Sequence, residues 1–398
     1  MSEPEIIVRV AGRGDGVTEA GRHVPLAAPG DQIAADGQLI PGPHHQAPPC
    51  RHFPECGGCQ LQHLDDESWS RFITDRIAGA LAQHGLSTEI CTPELSPPRT
   101  RRRASLHAER RGRQVLLGFT GEGSHKLIDL AECHVLHPEL FALLAPLRGL
   151  LAAMLPGSRR VNVHLTLLDQ GVDVLLDGFE AEGLAAAEAI TAFAHRHQLA
   201  RLSLDEGLGP TPRWEPEPAT ISLSGIPVPF PPGSFLQATA EGEAGLIGAV
   251  REAVGGARAI ADLFAGLGTF TFAMAPGTKV YAAEAARDPI LSLKAAAGAS
   301  RRMVLAEHRD LYRRPLATKD LDNFDAVILD PPRAGAKEQV EELARSKAPL
   351  VAYVSCNPST FARDAKTLCE GGYTLDWIQP VGQFRWSTHV ELAARFSR

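Results

Sequence analysis

The sequence predicts an α/β fold: a mostly parallel sheet with an antiparallel C-terminal edge, preceded by a mixed α+β middle region and a short N-terminal β module. Two observations carry the main sheet. After Ser234, five apolar runs (RAIADLF, KVYAAEA, RMVLAE, FDAVILD and PLVAYVS) alternate with segments that suit helices of roughly 10–15 residues, as parallel strands joined by crossover helices do. The last two runs, TLDWIQPV and VELAARF, follow each other with no helix between, which makes an antiparallel pair the economical reading. A third observation sets the earlier regions apart. Short strand-like runs broken by Gly and Pro fill the first 48 residues, and the Pro- and His-rich IPGPHHQAPP closes them.

Taken in order, residues 1–48 are expected to form the β module, 49–232 the middle domain and 233–398 the domain with the parallel sheet. A chain of 398 residues accommodates roughly two to three domains. In the middle region, DESWSRFITDRIAGALAQHG places Trp69, Ile73, Ile77 and Leu81 at helical spacing, as core residues. RQVLLGF and GVDVLLDGF read as antiparallel strands and EAEGLAAAEAITAFAHRHQ as a helix, and a Pro-rich stretch then leads to the last domain.

Composition narrows the class. No apolar run of about 18 residues is present, so a membrane span is not expected, and the first residues lack the pattern of a secretory signal, which points to the cytoplasm. The net charge of −7 argues mildly against nucleic acid as a partner. Charge is uneven, however. Residues 99–113 hold seven arginines and one glutamate, a local +6 on a body of −13, although the chain's 33 arginines against seven lysines make part of this a matter of composition.

Ligands of an open parallel sheet bind beyond the carboxyl ends of its strands. The first of these strands ends in DLFAGLGTF, where Gly266 and Gly268 permit close backbone approach, and the second ends in Glu284, an acidic side chain able to accept both hydroxyls of a ribose. The longer dinucleotide fingerprint is absent, so a nucleoside cofactor without pyrophosphate, such as S-adenosylmethionine, fits better than NAD. Asp330 ends the fourth strand in DPPRAG, and its paired prolines give an extended rigid loop. Cys356 ends the fifth. A carboxylate and a thiol on neighbouring strand tips suit covalent catalysis on an electrophilic ring, since a thiolate is the natural nucleophile for conjugate addition. Arg333 either faces the substrate or pairs with a carboxylate, and His389 reads as a solvated or hydrogen-bonded strand residue.

CRHFPECGGCQLQH gathers Cys50, Cys56 and Cys59, with Gly57 and Gly58 allowing a tight reversal, and Cys133 of DLAECHVLH supplies a fourth thiolate. Four thiolates suit tetrahedral zinc or an iron–sulfur cluster. His52 and His63 are expected beside such a site rather than in it, and Cys91 and Cys369 read as core fillers.

DLFAGLGTF, DPPRAG, SCNPSTFARD and HVELAARF, in this order, resemble the RNA uracil-5-methyltransferase family, over residues 50–63 and most of 230–398. The resemblance implies a class I, Rossmann-like methyltransferase domain, with the N-terminal module a reduced TRAM/OB-like unit. It implies Cys356 as the nucleophile at C6 of uracil and Glu391 as the base that removes the C5 proton. It places Gln237, Phe264, Thr269, Glu284, Asp310 and Asp330 around S-adenosylmethionine. The C-x5-C-x2-C spacing resembles the [4Fe-4S] motif of the family's 23S rRNA-directed branch, with Cys50, Cys56, Cys59 and Cys133 as ligands. The chain departs from the family where Thr239 stands for an Asn and Ala265 for a Cys, and Asp310 aligns loosely. The expected substrate is a uridine of 23S rRNA, flipped from a loop, and the chain is expected to act as a monomer. A uridine of tRNA is the close alternative. A methyltransferase for a small molecule or protein would leave Cys356, Glu391 and the arginines unexplained, and a nonenzymatic RNA-binding protein would leave the cofactor residues idle.

Overall fold

The computed structural model describes residues 4–155 and 159–398; the first three residues of the expected N-terminal module lie outside them. Five short strands from Glu5–Val10 to Leu39–Ile40 form one sheet over a small core of Ile7, Ala27 and Ile33. Asp31 is buried beneath it and accepts hydrogen bonds from Ala28 N and Gly42 N, both 2.7 Å, which ties the start of the proline linker to the module.

The middle region carries a six-stranded sheet. Its antiparallel core is Arg103–Arg111, Arg160–Leu168 and Gly171–Asp177, and the helix Gly183–Arg196 crosses over to Arg201–Asp205, which runs parallel to Gly171–Asp177. Alternation sorts its faces: Leu106, Val163, Leu165, Val174 and Leu176 point under the helices, while Ser105, His107 and His164 point away. One ion pair is buried here. Arg201 donates from Nε to Asp173 Oδ1 (2.9 Å) and from Nη2 to Oδ2 (3.0 Å), with both residues at most 3% exposed. Removing one partner strands the other charge in the core. Asp173→Ala is therefore expected to lower stability by about 3–5 kcal/mol, whereas an apolar pair at both positions recovers most of it, as a urea titration would show.

The nine-stranded sheet sets the site. Five parallel strands lie in the order Val304–His308, Lys279–Glu284, Ala259–Leu263, Ala326–Leu329, Leu350–Ser355, the sequence-predicted set. Glu391–Ser397 follows, antiparallel to both neighbours, and then Thr374–Gly382. The expected antiparallel pair is present, but it does not form the edge. Glu89–Ile90 and Glu94–Leu95 pair in parallel with Thr374–Gly382 beyond it. The helix Asp66–Ala82 packs against the helix Pro358–Glu370 and buries Trp69, Phe72, Ile73 and Ile77 in the core that also holds Leu263, Leu329 and Tyr353. Residues 66–95, which the sequence groups with the middle region, thus complete this sheet. Because the chain order reverses around Ala259–Leu263, a crevice opens at the carboxyl ends of the strands. Among the described residues no helix is long and apolar enough to cross a membrane.

Candidate active site

The loop after Ala259–Leu263 forms one wall of the crevice. Asp262 is buried and accepts from the Thr271 hydroxyl; burial, opposed by that bond and assisted by the Glu284 charge, raises its carboxyl to about 6. Phe264 holds φ 66°, a left-handed conformation costly for an aromatic residue, and Gly268, at φ 95°, starts the helix Thr269–Ala273. A Cβ on Gly268 would sit 2.8 Å from the Phe272 ring, so glycine is required there. Glu284 joins the loop to the next strand, accepting from Gly266 N (3.0 Å) and Ala286 N (2.7 Å). Glu284 is thus tied to the loop that carries Phe264 and leads into the helix beginning at Thr269. Asp310 engages its own turn, accepting from Tyr312 N (3.0 Å) and Arg313 N (3.2 Å), and the Tyr312 ring lies 5.5 Å from that of Phe264.

The opposite wall carries the thiol. Ser355 is in register with Leu392, which sets Cys356 beside Glu391 across adjacent strands. Asp330 ends the neighbouring strand. These groups share one electrostatic environment. Burial, then the charges of Glu391 and Asp330, push the Cys356 thiol up, against the pull of Arg333. Glu391 is 5% exposed, and burial pushes its carboxyl up to about 7, opposed by a hydrogen bond from Gln383 and by Arg103 and Arg333. Asp330 stands well above the usual carboxylate range through burial and the nearby Glu391, Asp262 and Glu284.

Local sequence holds this wall rigid. Asn357 caps the helix Pro358–Glu370, its Oδ1 accepting from Ser359 N (3.1 Å), while its Nδ2 donates to Arg333 O (3.0 Å). Thr360 Oγ1 also donates to that carbonyl, at 3.1 Å. The backbone of Arg333 is thereby fixed, and its guanidinium meets His389.

One participant, Gln383, carried no sequence signal, and another, Arg103, stood within the arginine run. The arginine run does not form one surface patch. Arg102 is buried in an ion pair with Glu243 (2.6 Å), Arg101 stacks over Phe384 near Cys59 and Cys133, and Arg103 stacks 4.5 Å over Phe235 with its charge towards Glu391.

Cys50, Cys56, Cys59 and Cys133 line one cavity, walled by Phe53, Phe119, Leu130 and Val135. Gly57 N donates to Thr120 O (3.0 Å), and a Cβ there would lie 2.8 Å from that oxygen. Neither His52 nor His63 lines the cavity: His52 Nε2 accepts from Ala131 N, and His63 is buried beside His45 and Phe53. Among the described residues no group of three or more His, Cys, Asp or Glu is arranged to hold a metal ion. Cys369 packs on the main core, as expected, and Cys91 lies in a groove beside Glu89 and Trp377.

The model of the tRNA (uracil-5-)-methyltransferase family matches residues 229–398. The chain is 50% identical to an uncharacterized RNA methyltransferase of Zymomonas mobilis over 393 residues, covering 98% of this chain and 99% of the relative. It is 32% identical to the 23S rRNA (uracil(1939)-C(5))-methyltransferase of Edwardsiella ictaluri, over 89% of this chain and 82% of that one. The crystal structure of Pyrococcus abyssi tRNA (uracil-54, C5)-methyltransferase in complex with S-adenosyl-L-homocysteine superposes with a TM-score of 0.77 over 99% of both chains at 24% identity, which shows a common class I methyltransferase fold. With a full-length relative at half identity and a named one at a third, the chain belongs to the RNA uracil-5-methyltransferase family and is an S-adenosylmethionine-dependent enzyme.

Proposed function

We propose that this enzyme methylates C5 of a uridine in 23S rRNA through a covalent adduct between Cys356 and C6 of the base. The observation that carries this reading is the meeting of Cys356, Asp330 and Glu391 on three neighbouring strands of one crevice. An unactivated C5 is a poor nucleophile. Attack of the Cys356 thiolate on C6 turns C5 into an enolate-like carbon, which takes the methyl group; Glu391 then removes the C5 proton, the C6–S bond breaks and the ring regains conjugation. S-adenosylmethionine supplies the electrophilic methyl, and Gln237, Phe264, Thr269, Glu284, Asp310 and Asp330 are the residues proposed to hold it. The rRNA target follows the named Edwardsiella relative, and the family's name keeps tRNA as the alternative. The enzyme would act as a monomer in the cytoplasm. Methyl transfer to rRNA and tRNA from a strain lacking the protein, followed by mass mapping, tests this: label confined to one 23S uridine supports the reading, and label confined to tRNA replaces it.

The four cysteines are proposed to hold a [4Fe-4S] cluster. Their donor set is all sulfur and they share one largely apolar cavity. A cubane spreads its four thiolates over four irons. Coordination closed by protein leaves a structural role, fastening residues 50–59 to Cys133. Cys59→Ser is expected to lower bound iron from about four per chain to below about one, with loss of visible absorbance and a lower unfolding temperature. Unchanged stability in soluble iron-free protein would remove the structural role.

A further inference from the structure

Asn357, Thr360, Arg363 and Asp364 follow one another at helical spacing, so the cap and first two turns of the helix Pro358–Glu370 present them on one face. That face meets the loop that follows Asp330. Asn357 Nδ2 and Thr360 Oγ1 donate to Arg333 O, and the later pair continues along the loop. Arg363 Nη2 donates to Ala334 O at 3.0 Å, and Ala336 N donates to Asp364 Oδ2 at 2.8 Å. From the opposite wall Tyr312 donates its hydroxyl to Gly335 O, also at 3.0 Å. Every residue from Arg333 to Ala336 therefore has a backbone group held by a side chain from outside the loop. Asp364 organises the helix side of this grip. It is 1% exposed and all its partners are donors: Ala336 N and the Tyr353 hydroxyl (2.7 Å) on Oδ2, and Arg363 Nε (2.8 Å) on Oδ1. The same carboxylate thus binds Ala336 and aims Arg363 at Ala334. Gly335 fits between them at φ 80°. A Cβ there would lie 2.6 Å from both Asp364 Oδ2 and Arg363 Nη2, so only glycine permits the contact.

We propose that Asp364 is a positioning residue for the addition step: with Arg363 it clamps the loop of residues 331–336 to the helix that starts directly behind Cys356, and so fixes Asp330 and Arg333 against the thiol. This rests on the reading of Cys356 as the nucleophile. The loop's own connections make the clamp matter to the chemistry. It begins at Asp330, on the strand paired with the one that ends before Cys356, and its Arg333 guanidinium meets His389, two residues before Glu391. One loop therefore touches the strand tip, the helix behind the nucleophile and the segment leading to the base. The bonds of Asp364 go to none of the reacting groups, so it acts only through the loop. A shift of about 1 Å in such a loop is enough to slow a reaction about 100-fold.

The full-length enzyme is tested as wild type, Asp364→Asn, Gly335→Ala and Tyr353→Phe. The readout is the rate at which each, with S-adenosylmethionine, forms its covalent complex with RNA containing 5-fluorouridine. In Asp364→Asn one oxygen remains for Ala336 N and the Tyr353 hydroxyl, but an amide group faces Arg363, which loses its anchor and releases Ala334. Complex formation at saturating RNA is expected to slow about 10-fold, while the Kd for S-adenosylhomocysteine stays within about threefold of wild type. Gly335→Ala wedges the loop from the helix while every polar group of the clamp is retained. It should slow complex formation about 100-fold, and it carries the test if Asp364→Asn does not fold. Tyr353→Phe is the structural control, because its hydroxyl reaches Asp364 from the core rather than from the loop. It should lower the melting temperature by a few degrees, roughly as Asp364→Asn does, and keep complex formation within about twofold of wild type. Wild-type rates in both Asp364→Asn and Gly335→Ala overturn the inference. So does a Tyr353→Phe enzyme slowed as much as Asp364→Asn, since the loss would then follow stability alone. Wild-type enzyme that traps no 5-fluorouridine RNA overturns the underlying covalent reading instead.

Discussion

Cys356→Ala is expected to abolish methyl transfer, by at least about ten-thousand-fold, and to abolish the stable complex with RNA containing 5-fluorouridine. The alanine removes the only thiol beside Glu391, and every step that activates C5 depends on the bond that sulfur makes. The effect should be confined to chemistry. Cys356 lies before the cap residue of the helix Pro358–Glu370, and that cap is made by Asn357 to Ser359 N, with Asn357 and Thr360 also holding the Arg333 carbonyl, so none of these contacts uses the sulfur. A melting temperature within about two degrees of wild type, beside lost turnover, is the expected pair of measurements. Cys356→Ser should be nearly as inactive, because a hydroxyl in this half-buried position ionises far less readily than a thiol. Normal turnover by the alanine variant would end the covalent proposal. Fluorine at C5 sharpens the result: the adduct forms and is methylated, but Glu391 has no proton to remove, so the complex persists only where Cys356 made it.

The strand tips were legible because a polar residue that stops an apolar run announces itself, and Asp330 followed by two prolines, or Cys356 followed by Asn357 and Pro358, leaves little room for another reading. Glu391 was legible only through resemblance, since it opens a strand rather than ending one. Gln383 was not legible at all. Its partner Gln237 lies 146 positions away, and what aligns them is the packing of the helix Ala240–Val254 on the sheet, with Gly242 leaving space for the amide. The arginine run misled for a related reason. Sequence counts charges, whereas the fold sends Arg102 inward to Glu243, Arg101 to Phe384 and Arg103 to Phe235. Residues 66–95 escaped because two-residue strands fall below any periodicity signal, and Pro93, which has no N–H for a ladder, divides Glu89–Ile90 from Glu94–Leu95. Their place was decided instead by Trp69, Ile73, Ile77 and Leu81, which had the helical spacing but gave no indication of which core they would enter.

Glu391→Gln separates the two halves of the reaction. Addition of Cys356 and transfer of the methyl group do not need the carboxylate, so the variant should form the methylated adduct and hold it, while steady-state turnover falls about a thousandfold. In the wild type the base works only when ionised, and its carboxyl is pushed up to about 7, so turnover should fall as pH drops through neutrality and rise towards pH 8. Stability should run the other way. A carboxyl whose titration is raised by folding binds more protons in the native state than in the unfolded one, between its usual value near 4.5 and about 7, and stability declines with rising pH across that window. The glutamine variant lacks this penalty. Its unfolding temperature should exceed that of the wild type at pH 8 and converge with it towards pH 5, where Glu391 is protonated in the folded enzyme. A variant that is less stable than wild type at pH 8 would mean that Arg103 and Arg333 depend on the Glu391 charge more than its burial opposes it. The retained adduct and the inverted pH response are independent readouts, and together they distinguish a buried base from a buried structural ion.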